Sequence, residues 1–168
     1  MSVVKLPYNK RTLEVEIPDK NLSAVLESKA GDYKTELTES EIVEKALDNP
    51  IGSPKLEELV KGKKNMVIIS SDHTRPVPSK IIMPILLRRI RAVNPKIDIK
   101  ILIATGFHRP TTHEELVNKF GEEIVKNENI IVHDSRDSSS LVKIGTLPSG
   151  GELIINKTAV EAELLIAE

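Results

Sequence analysis

The chain begins with an alternating pattern that predicts an antiparallel hairpin. Residues 2–18 are SVVKLPYNKRTLEVEIP, in which Leu13, Val15 and Ile17 alternate with polar residues. Alternation with a period of two places every second side chain on one face of a strand. Asn9 lies between the two apolar stretches and is a typical turn residue. We therefore predict a hairpin, followed by an irregular stretch over residues 18–38.

Two segments with helical periodicity come next. ESEIVEKALDN, residues 39–49, repeats apolar residues every three or four positions and predicts an amphipathic helix. In SPKLEELVKG, residues 53–62, Ser53 is suited to cap a helix and Pro54 to occupy its first position. We expect both helices to precede the main sheet of the domain.

From residue 65 short apolar runs alternate with longer amphipathic segments. In chain order these are NMVIIS (65–70), SKIIMPILLRRIRAV (79–93), DIKILIA (98–104), THEELVNKFGEEIVKN (112–127) and NIIVH (129–133). Alternating strand and helix patterns are typical of a parallel sheet covered by helices. Pro84 predicts a kink or a later start in the first helix. Thr112 and Glu115 predict a capping box for the second.

A second hairpin and a last strand complete the pattern. LVKIGTLPSGGELIINK, residues 141–157, has two apolar stretches around the turn PSGG, and AVEAELLIAE, residues 159–168, ends in a run that predicts another buried strand. The predicted fold class is α/β: a Rossmann-like three-layer domain with a mainly parallel sheet, plus the N-terminal hairpin.

Composition restricts the possible classes of function. With 168 residues, 39% hydrophobic and 29% charged, and a net charge of −1, the chain suits an ordinary globular domain. The absence of cysteine excludes disulfides and thiolate sites. No apolar run approaches the ~18 residues of a membrane span, and the N-terminus does not resemble a signal peptide. Dispersed basic residues without neighbouring aromatics do not favour nucleic acid. We expect a cytoplasmic protein without membrane or nucleic-acid partners.

Polar clusters containing histidine follow three of the predicted strands. SSDHTRP follows VII, TGFHRP follows ILIA, and HDSRDSS follows IIV. In open α/β sheets the ligand crevice lies outside the carboxyl ends of the strands, so we expect these clusters to converge. The candidate residues are Asp72, His73, Arg75, His108, Arg109, His133 and Asp134.

Arg75 and Arg109 each precede a proline, which holds the preceding residue extended. A guanidinium fixed in this way loses less entropy when it binds a carboxylate or phosphate. No glycine-rich dinucleotide motif, P-loop or G-x-S-x-G motif is present. The residues alone thus indicate an α/β domain with an anion-binding, histidine-bearing edge.

Two functions other than the one considered below are compatible with these residues. One is a metal-dependent hydrolase, in which His73, His108, His133 and Asp134 would gather a metal that activates water. The other is a small-anion-binding module without chemistry.

Longer motifs carry a family resemblance. SSDHTRPVP (70–78), ATGFHRPTTHEEL (104–116), HDSRD (133–137) and GTLPSGGELIINKTAVEAELLI (145–166) occur in this order. Together they resemble the N-terminal domain of the lactate racemase family. The resemblance implies a 2-hydroxyacid racemase or epimerase that works by proton-coupled hydride transfer to a nickel-pincer nucleotide. It implies a small 2-hydroxy acid as substrate and a C-terminal domain as partner.

The resemblance also implies individual roles. His108 matches the base that takes the substrate hydroxyl proton, and Arg75 matches the arginine that binds the carboxylate. The positions that match cofactor-binding residues are Asp72, Thr74, Thr105 and Gly106. The tethering lysine, the second catalytic histidine and the nickel-binding histidine of the family have no match here, so no metal ligand is predicted. We expect residues 1–168 to be a single N-terminal domain of a larger two-domain enzyme, without bound cofactor and inactive alone.

Overall fold

The N-terminal alternation forms the predicted hairpin. Strand β1 (Ser2–Tyr8) pairs antiparallel with β2 (Arg11–Ile17), and Asn9 takes a φ of 55 in the turn between them. Residues 1–168 of this computed structural model divide into two units, and the hairpin belongs to the first, Met1–Glu36. The stretch expected to be irregular contains only two single-turn 3-10 helices, Asp19–Asn21 and Ala30–Asp32.

A four-stranded parallel sheet forms the centre of the second unit, Leu37–Glu168. Its strands are β3 (Asn65–Ser71), β4 (Asp98–Ala104), β5 (Asn129–Val132) and β8 (Leu165–Ala167). Their order across the sheet is β5, β4, β3, β8. The predicted α/β class with a parallel sheet and an N-terminal hairpin is confirmed.

The helices and the sheet together enclose the core. The helices are α1 (Glu39–Asp48), α2 (Leu56–Val60), α3 (Ser79–Val93), α4 (His113–Phe120), α5 (Glu122–Asn127) and α6 (Lys157–Val160). Alternate residues of β3 and β4, such as Ile68 and Ile101, join one buried cluster with Ile90 of α3 and Phe120 of α4. None of the helices is both long enough and apolar enough to span a membrane.

The second hairpin forms as predicted. β6 (Leu141–Thr146) pairs antiparallel with β7 (Glu152–Asn156), and the connecting turn contains the PSGG sequence. The final apolar run forms β8, but this strand is less buried than predicted, because Leu165 is 46% exposed.

Two helices differ in their bounds from the sequence prediction, and α3 excludes one of the two effects predicted for Pro84. α2 begins at Leu56, so the N-cap residue is Lys55 and not Ser53. The Ser53 hydroxyl donates to the carbonyl of Pro54 and does not cap the helix. The helix predicted over residues 112–127 is divided by Gly121, whose φ of 89 is incompatible with a continuous helix. α3 starts at Ser79 and continues through Pro84, so a later start is wrong.

The position of Pro84 explains its tolerance within α3. A proline removes the N–H that would donate to the carbonyl four residues earlier, which here belongs to Lys80. Both Pro84 and Lys80 are exposed, so water can satisfy that carbonyl.

Candidate functional site

A cleft of about 560 Å³ lies at the carboxyl ends of three parallel strands. Residues that line this strand-end cleft come from β3, β4, β8 and the loops after them: Ile69, Ser71, Asp72, Arg75, Ala104, Thr105, Gly106, Phe107, His108, Ala167 and Glu168. The chain moves from β3 to β4 and β5 on one side and returns to β8 on the other. A crevice beside such a reversal of strand order is the usual ligand site of open α/β sheets.

Asp72 and His108 are paired within this cleft. The Nδ1 atom of His108 lies 2.5 Å from Oδ2 of Asp72. The aspartate side chain is 3% exposed, whereas the histidine side chain is 52% exposed. A buried carboxylate thus holds one side of an imidazole whose other side remains accessible.

A local turn fixes the carboxylate of Asp72. Its Oδ1 accepts hydrogen bonds from the backbone N–H of Thr74 at 3.0 Å and from the Thr74 hydroxyl at 2.6 Å. Burial by itself would raise the pKa of Asp72, but the hydrogen bonds from Thr74 and His108 outweigh it and hold the pKa well below its ordinary value. Asp72 is therefore ionised at neutral pH.

The ionised aspartate determines the tautomer of His108. A carboxylate can only accept hydrogen bonds, so the Nδ1 atom that faces it must carry a proton. In the neutral ring Nε2 is then the unprotonated nitrogen and can act as a base. Gly106, with a φ of 57, permits the tight turn that ends with the His108 N–H donating to the carbonyl of Thr105 at 3.0 Å.

Arg75 and Arg109 differ although the sequence presents both before a proline. The Arg75 side chain lines the cleft and makes no hydrogen bond or ion pair. Arg109 instead donates two hydrogen bonds to the Glu115 carboxylate, at 2.8 and 2.6 Å. Only Arg75 thus has a guanidinium available for an anionic ligand in the cleft.

The remaining predicted residues have separate partners. Nδ1 of His73 lies 3.2 Å from the Thr111 hydroxyl oxygen, outside the strand-end cleft. Nδ1 of His133 lies 3.1 Å from the side-chain nitrogen of Asn156, and Asp134 accepts from the backbone N–H of Arg136 at 2.9 Å. No three histidine or acidic side chains of the chain form a group that could hold a metal ion. The metal-dependent hydrolase interpretation therefore has no site here.

A family comparison identifies the domain. Residues 8–168 match the model of the lactate racemase N-terminal domain. The chain belongs to the lactate racemase N-terminal domain family. The predicted resemblance is confirmed, and the motifs that carried it include both members of the Asp72–His108 pair.

Individual relatives agree with this assignment. The chain is 65% identical to the lactate racemase of Lactiplantibacillus plantarum and 56% identical to that of Thermoanaerobacterium thermosaccharolyticum, over all 168 residues in each case. It covers 40% and 39% of these two proteins, so it spans well under half of their length.

Solved structures support the fold in the same way. The lactate racemase apoprotein from Thermoanaerobacterium thermosaccharolyticum superposes with a TM-score of 0.87 at 53% identity, covering 99% of this chain and 38% of that one. A Thermotoga maritima protein superposes with a TM-score of 0.59 at 22% identity, covering 78% of this chain and 33% of that one, and it shows the fold alone.

The structure also locates the residues expected to bind the cofactor in this lactate racemase N-terminal domain. The Thr74 hydroxyl donates to Asp72, and the buried Thr105 hydroxyl donates to the carbonyl of His133 at 2.5 Å. At Gly106 an added Cβ would meet no atom within 4 Å, so this backbone borders open space. Asp72, Thr105 and Gly106 line the cleft, and the hydrogens of both threonine hydroxyls are already engaged.

One residue that lines the cleft and one that contacts a lining residue were not predicted from the sequence. Phe107 lines the cleft, and this residue is 84% exposed. The ammonium of Lys119, from α4, donates to the Ser71 hydroxyl at 3.3 Å, and burial lowers its pKa. No periodicity or motif singles out Lys119, since its approach to β3 depends on how α4 packs on the sheet.

Proposed function

We propose that this chain is the proton-transferring N-terminal domain of a 2-hydroxyacid racemase or epimerase of the lactate racemase type. The observation that carries the proposal is the Asp72–His108 pair beside the unpaired Arg75 in one cleft. The chain spans about 40% of its curated relatives, so the activity is proposed for the whole protein.

His108 is the proposed general base. Its Nε2 takes the proton of the substrate hydroxyl, and the imidazolium that forms lies next to the Asp72 carboxylate, 2.5 Å away. The C2–O bond becomes a carbonyl as the hydrogen on C2 leaves with its electron pair, which yields a 2-keto acid. In the reverse step His108 returns its proton to the oxygen, and return of hydride to either face of the carbonyl scrambles the configuration at C2.

Arg75 is the proposed carboxylate-binding residue. Its planar guanidinium can donate two parallel hydrogen bonds to the substrate carboxylate, which fixes the orientation of C2 relative to His108. Because Arg75 has no partner within the chain, binding substrate breaks no existing ion pair.

The residues of the cleft fit the expected cofactor in two respects. When bound, the nickel-pincer nucleotide supplies the acceptor for the hydride that leaves C2. Ile69, Ala104 and Ala167 would provide an apolar wall for a flat ring, and the ionised Asp72 would favour a positively charged pyridinium. We propose that Asp72, Thr74, Thr105 and Gly106 border the cofactor. The tethering lysine and nickel ligand are proposed to lie in the C-terminal part of the protein, so that the chain alone is inactive.

The test uses the full-length protein loaded with its cofactor and measures interconversion of D- and L-lactate. We expect His108→Ala to lower kcat by ~10²–10⁴-fold, the usual contribution of a general base. Arg75→Lys keeps the charge but loses the planar fork, so it should raise KM more than it lowers kcat.

Two matched controls come from the same loop region. Arg109→Lys alters the other arginine that precedes a proline, and His113→Ala alters an exposed histidine at the start of α4. Both controls should leave kcat and KM nearly unchanged. Normal turnover in His108→Ala would remove this residue from the mechanism. Weakened binding in Arg75→Lys, combined with normal turnover in His108→Ala, would favour an anion-binding role for the cleft.

A further inference from the structure

A second pocket, of about 340 Å³, adjoins the strand-end cleft. We refer to it as the α4 pocket, because its lining residues come from α4 and from the segment between β3 and α3. These residues are His73, Arg75, Val77, Glu115, Asn118 and Lys119. Arg75 is the one residue that lines both cavities. The α4 pocket is therefore separate from the Asp72–His108 pair but shares the arginine of the cleft.

Two cations of the α4 pocket lack an anionic partner. The Arg75 side chain makes no hydrogen bond or ion pair. The Lys119 ammonium donates to the neutral Ser71 hydroxyl at 3.3 Å and makes no ion pair. Burial lowers the pKa of Lys119, and the charges of Glu168 and Asp72 offset this effect only in part. An anion in the pocket would supply the missing partner of both cations.

The acidic residue of the pocket is already paired. The two carboxylate oxygens of Glu115 accept hydrogen bonds from Arg109 at 2.8 and 2.6 Å, and one of them also accepts from the Thr112 N–H at 2.8 Å. These bonds, those from Arg109 most of all, lower the pKa of Glu115 to about 2. Since Arg109 neutralises Glu115, the charge left in the pocket is the positive charge of Arg75 and Lys119.

Neutral groups add further donors to the lining. The side-chain amide of Asn118 is exposed and has no hydrogen bond within the chain. Nδ1 of His73 lies 3.2 Å from the Thr111 hydroxyl oxygen, which leaves Nε2 without a partner. Donors from two different elements thus line one pocket. Such a set suits a tetrahedral anion, whose oxygens point in several directions, better than the two coplanar oxygens of a carboxylate.

We propose that the α4 pocket binds a phosphate group, as inorganic phosphate or on a small phosphate ester, through Lys119, Arg75 and Asn118. This site goes beyond the proposed function, which uses neither Lys119 nor this pocket. An Arg75 guanidinium that binds the phosphate no longer presents its planar fork to the strand-end cleft. Phosphate should therefore weaken substrate binding, a consequence that rests on the proposed role of Arg75.

The experiment titrates the ¹⁵N-labelled 168-residue chain with inorganic phosphate at pH ~8, where phosphate groups carry nearly two negative charges. A parallel titration with sodium chloride matches the ionic strength. We expect saturable shifts of the side-chain resonances of Arg75 and Asn118 with phosphate only, because chloride acts by screening. Glycerol 3-phosphate distinguishes the two sources of the group: tighter binding than inorganic phosphate indicates an ester, and weaker binding indicates free phosphate.

Variants test the individual donors. Lys119→Met should weaken phosphate binding by at least ~10-fold, because a hydrogen bond between charged groups is lost. Asn118→Ala removes an exposed neutral donor and should weaken binding by ~3-fold, which tests the pocket without changing its charge. Lys126→Met removes the same charge from an exposed position of α5 and should leave phosphate affinity within ~2-fold of the parent.

Competition with lactate tests the shared arginine. Lactate binding is followed at His108, which lines the strand-end cleft but not the α4 pocket. With phosphate at ~10 times its dissociation constant, mutually exclusive use of Arg75 predicts an apparent lactate affinity ~10-fold weaker. The same phosphate concentration should have a much smaller effect in Lys119→Met, because phosphate then occupies the pocket less.

The outcomes separate this site from the proposed function. If phosphate causes no saturable shifts, or binds equally well to the parent and to Lys119→Met, the phosphate site is overturned and the proposed function is not affected. Phosphate shifts at His108 in place of Asn118 would put the anion in the cleft and also overturn the site. If phosphate binds through Lys119 but lactate does not shift His108, the proposed substrate site is wrong and the phosphate site stands. Independent binding of phosphate and lactate would overturn the shared use of Arg75.

Discussion

Replacement of Asp72 by asparagine should invert the tautomer of His108. The substitution keeps the size and shape of the side chain, and Oδ1 can still accept from the N–H and hydroxyl of Thr74. The atom facing His108 changes from a carboxylate oxygen to an amide nitrogen, which donates. Nδ1 of His108 must then accept, and the proton of the neutral ring moves to Nε2.

This tautomer change removes the base from the cleft. A protonated Nε2 cannot take the hydroxyl proton, and any imidazolium that forms no longer lies against a negative charge. In a serine protease, the same type of substitution holds the catalytic histidine in the wrong tautomer and lowers kcat by about 10⁴-fold. For Asp72→Asn we expect kcat to fall by ~10³–10⁴-fold, which is equivalent to an increase of about 4–5.5 kcal/mol in activation free energy.

Two assays measure the effect. Two-bond ¹H–¹⁵N correlation spectra of the 168-residue chain at mildly alkaline pH report the tautomer of each of its 4 histidines without any cofactor. The kcat of the loaded full-length protein reports the catalytic consequence. Asp134→Asn is the matched control, because Asp134 also accepts from a backbone N–H two residues later but has no histidine partner.

The expected result is a protonated Nδ1 on His108 in the parent chain and a protonated Nε2 in Asp72→Asn. The reasoning fails if Asp72→Asn keeps the proton on Nδ1. It also fails if the tautomer inverts while kcat remains within about threefold of the parent, since His108 would then not be the base.

Two further predictions concern stability. Arg89→Met should lower the free energy of unfolding in urea by about 1.5–3 kcal/mol, because Arg89 is 11% exposed and donates to the partly exposed carboxylates of Glu44 and Asp48 of α1 and Glu57 of α2, which would lose their shared partner but can be hydrated. Arg88→Met is the control, because the Arg88 side chain is 63% exposed, and it should change the free energy of unfolding by less than about 1 kcal/mol. Equal losses in the two variants would contradict the role of the buried network. Folding lowers the pKa of Asp72, so its ionised carboxylate stabilises the folded state. This contribution is complete above the unfolded pKa of about 4 and is lost as the pH falls below that value. Urea midpoints between pH 6 and 2 should therefore fall more steeply for the parent than for Asp72→Asn, and parallel profiles would show that Asp72 is not linked to folding.

Local sequence patterns determined most of the secondary structure. The apolar runs of β3 and β4 and the periodicity of α3 mark elements whose bounds agree closely with the prediction. The capping box of Thr112 and Glu115 forms as expected, because it depends on residues only three positions apart. The departures occur at Ser53 and Gly121, where competing local hydrogen bonds and backbone conformation decide the helix ends.

The sequence also indicated which polar clusters follow the strands, but it did not determine how their members pair. Asp72 and His108 are 36 residues apart, and only the parallel pairing of β3 with β4 brings them together. Arg75 and Arg109 are equivalent in sequence, since each precedes a proline. Glu115 distinguishes them, because the capping box of α4 holds its carboxylate within reach of Arg109 and leaves Arg75 free.

The location of the cleft was likewise decided by tertiary structure. Alternating strands and helices predict a parallel sheet but do not specify on which side of β3 the last strand inserts. Placement of β8 next to β3 creates the reversal of strand order and brings Ala167 and Glu168 to the cleft. Residue types and local periodicity follow from interactions along the chain, whereas the choice of pairing partners depends on long-range packing, which the local pattern does not specify.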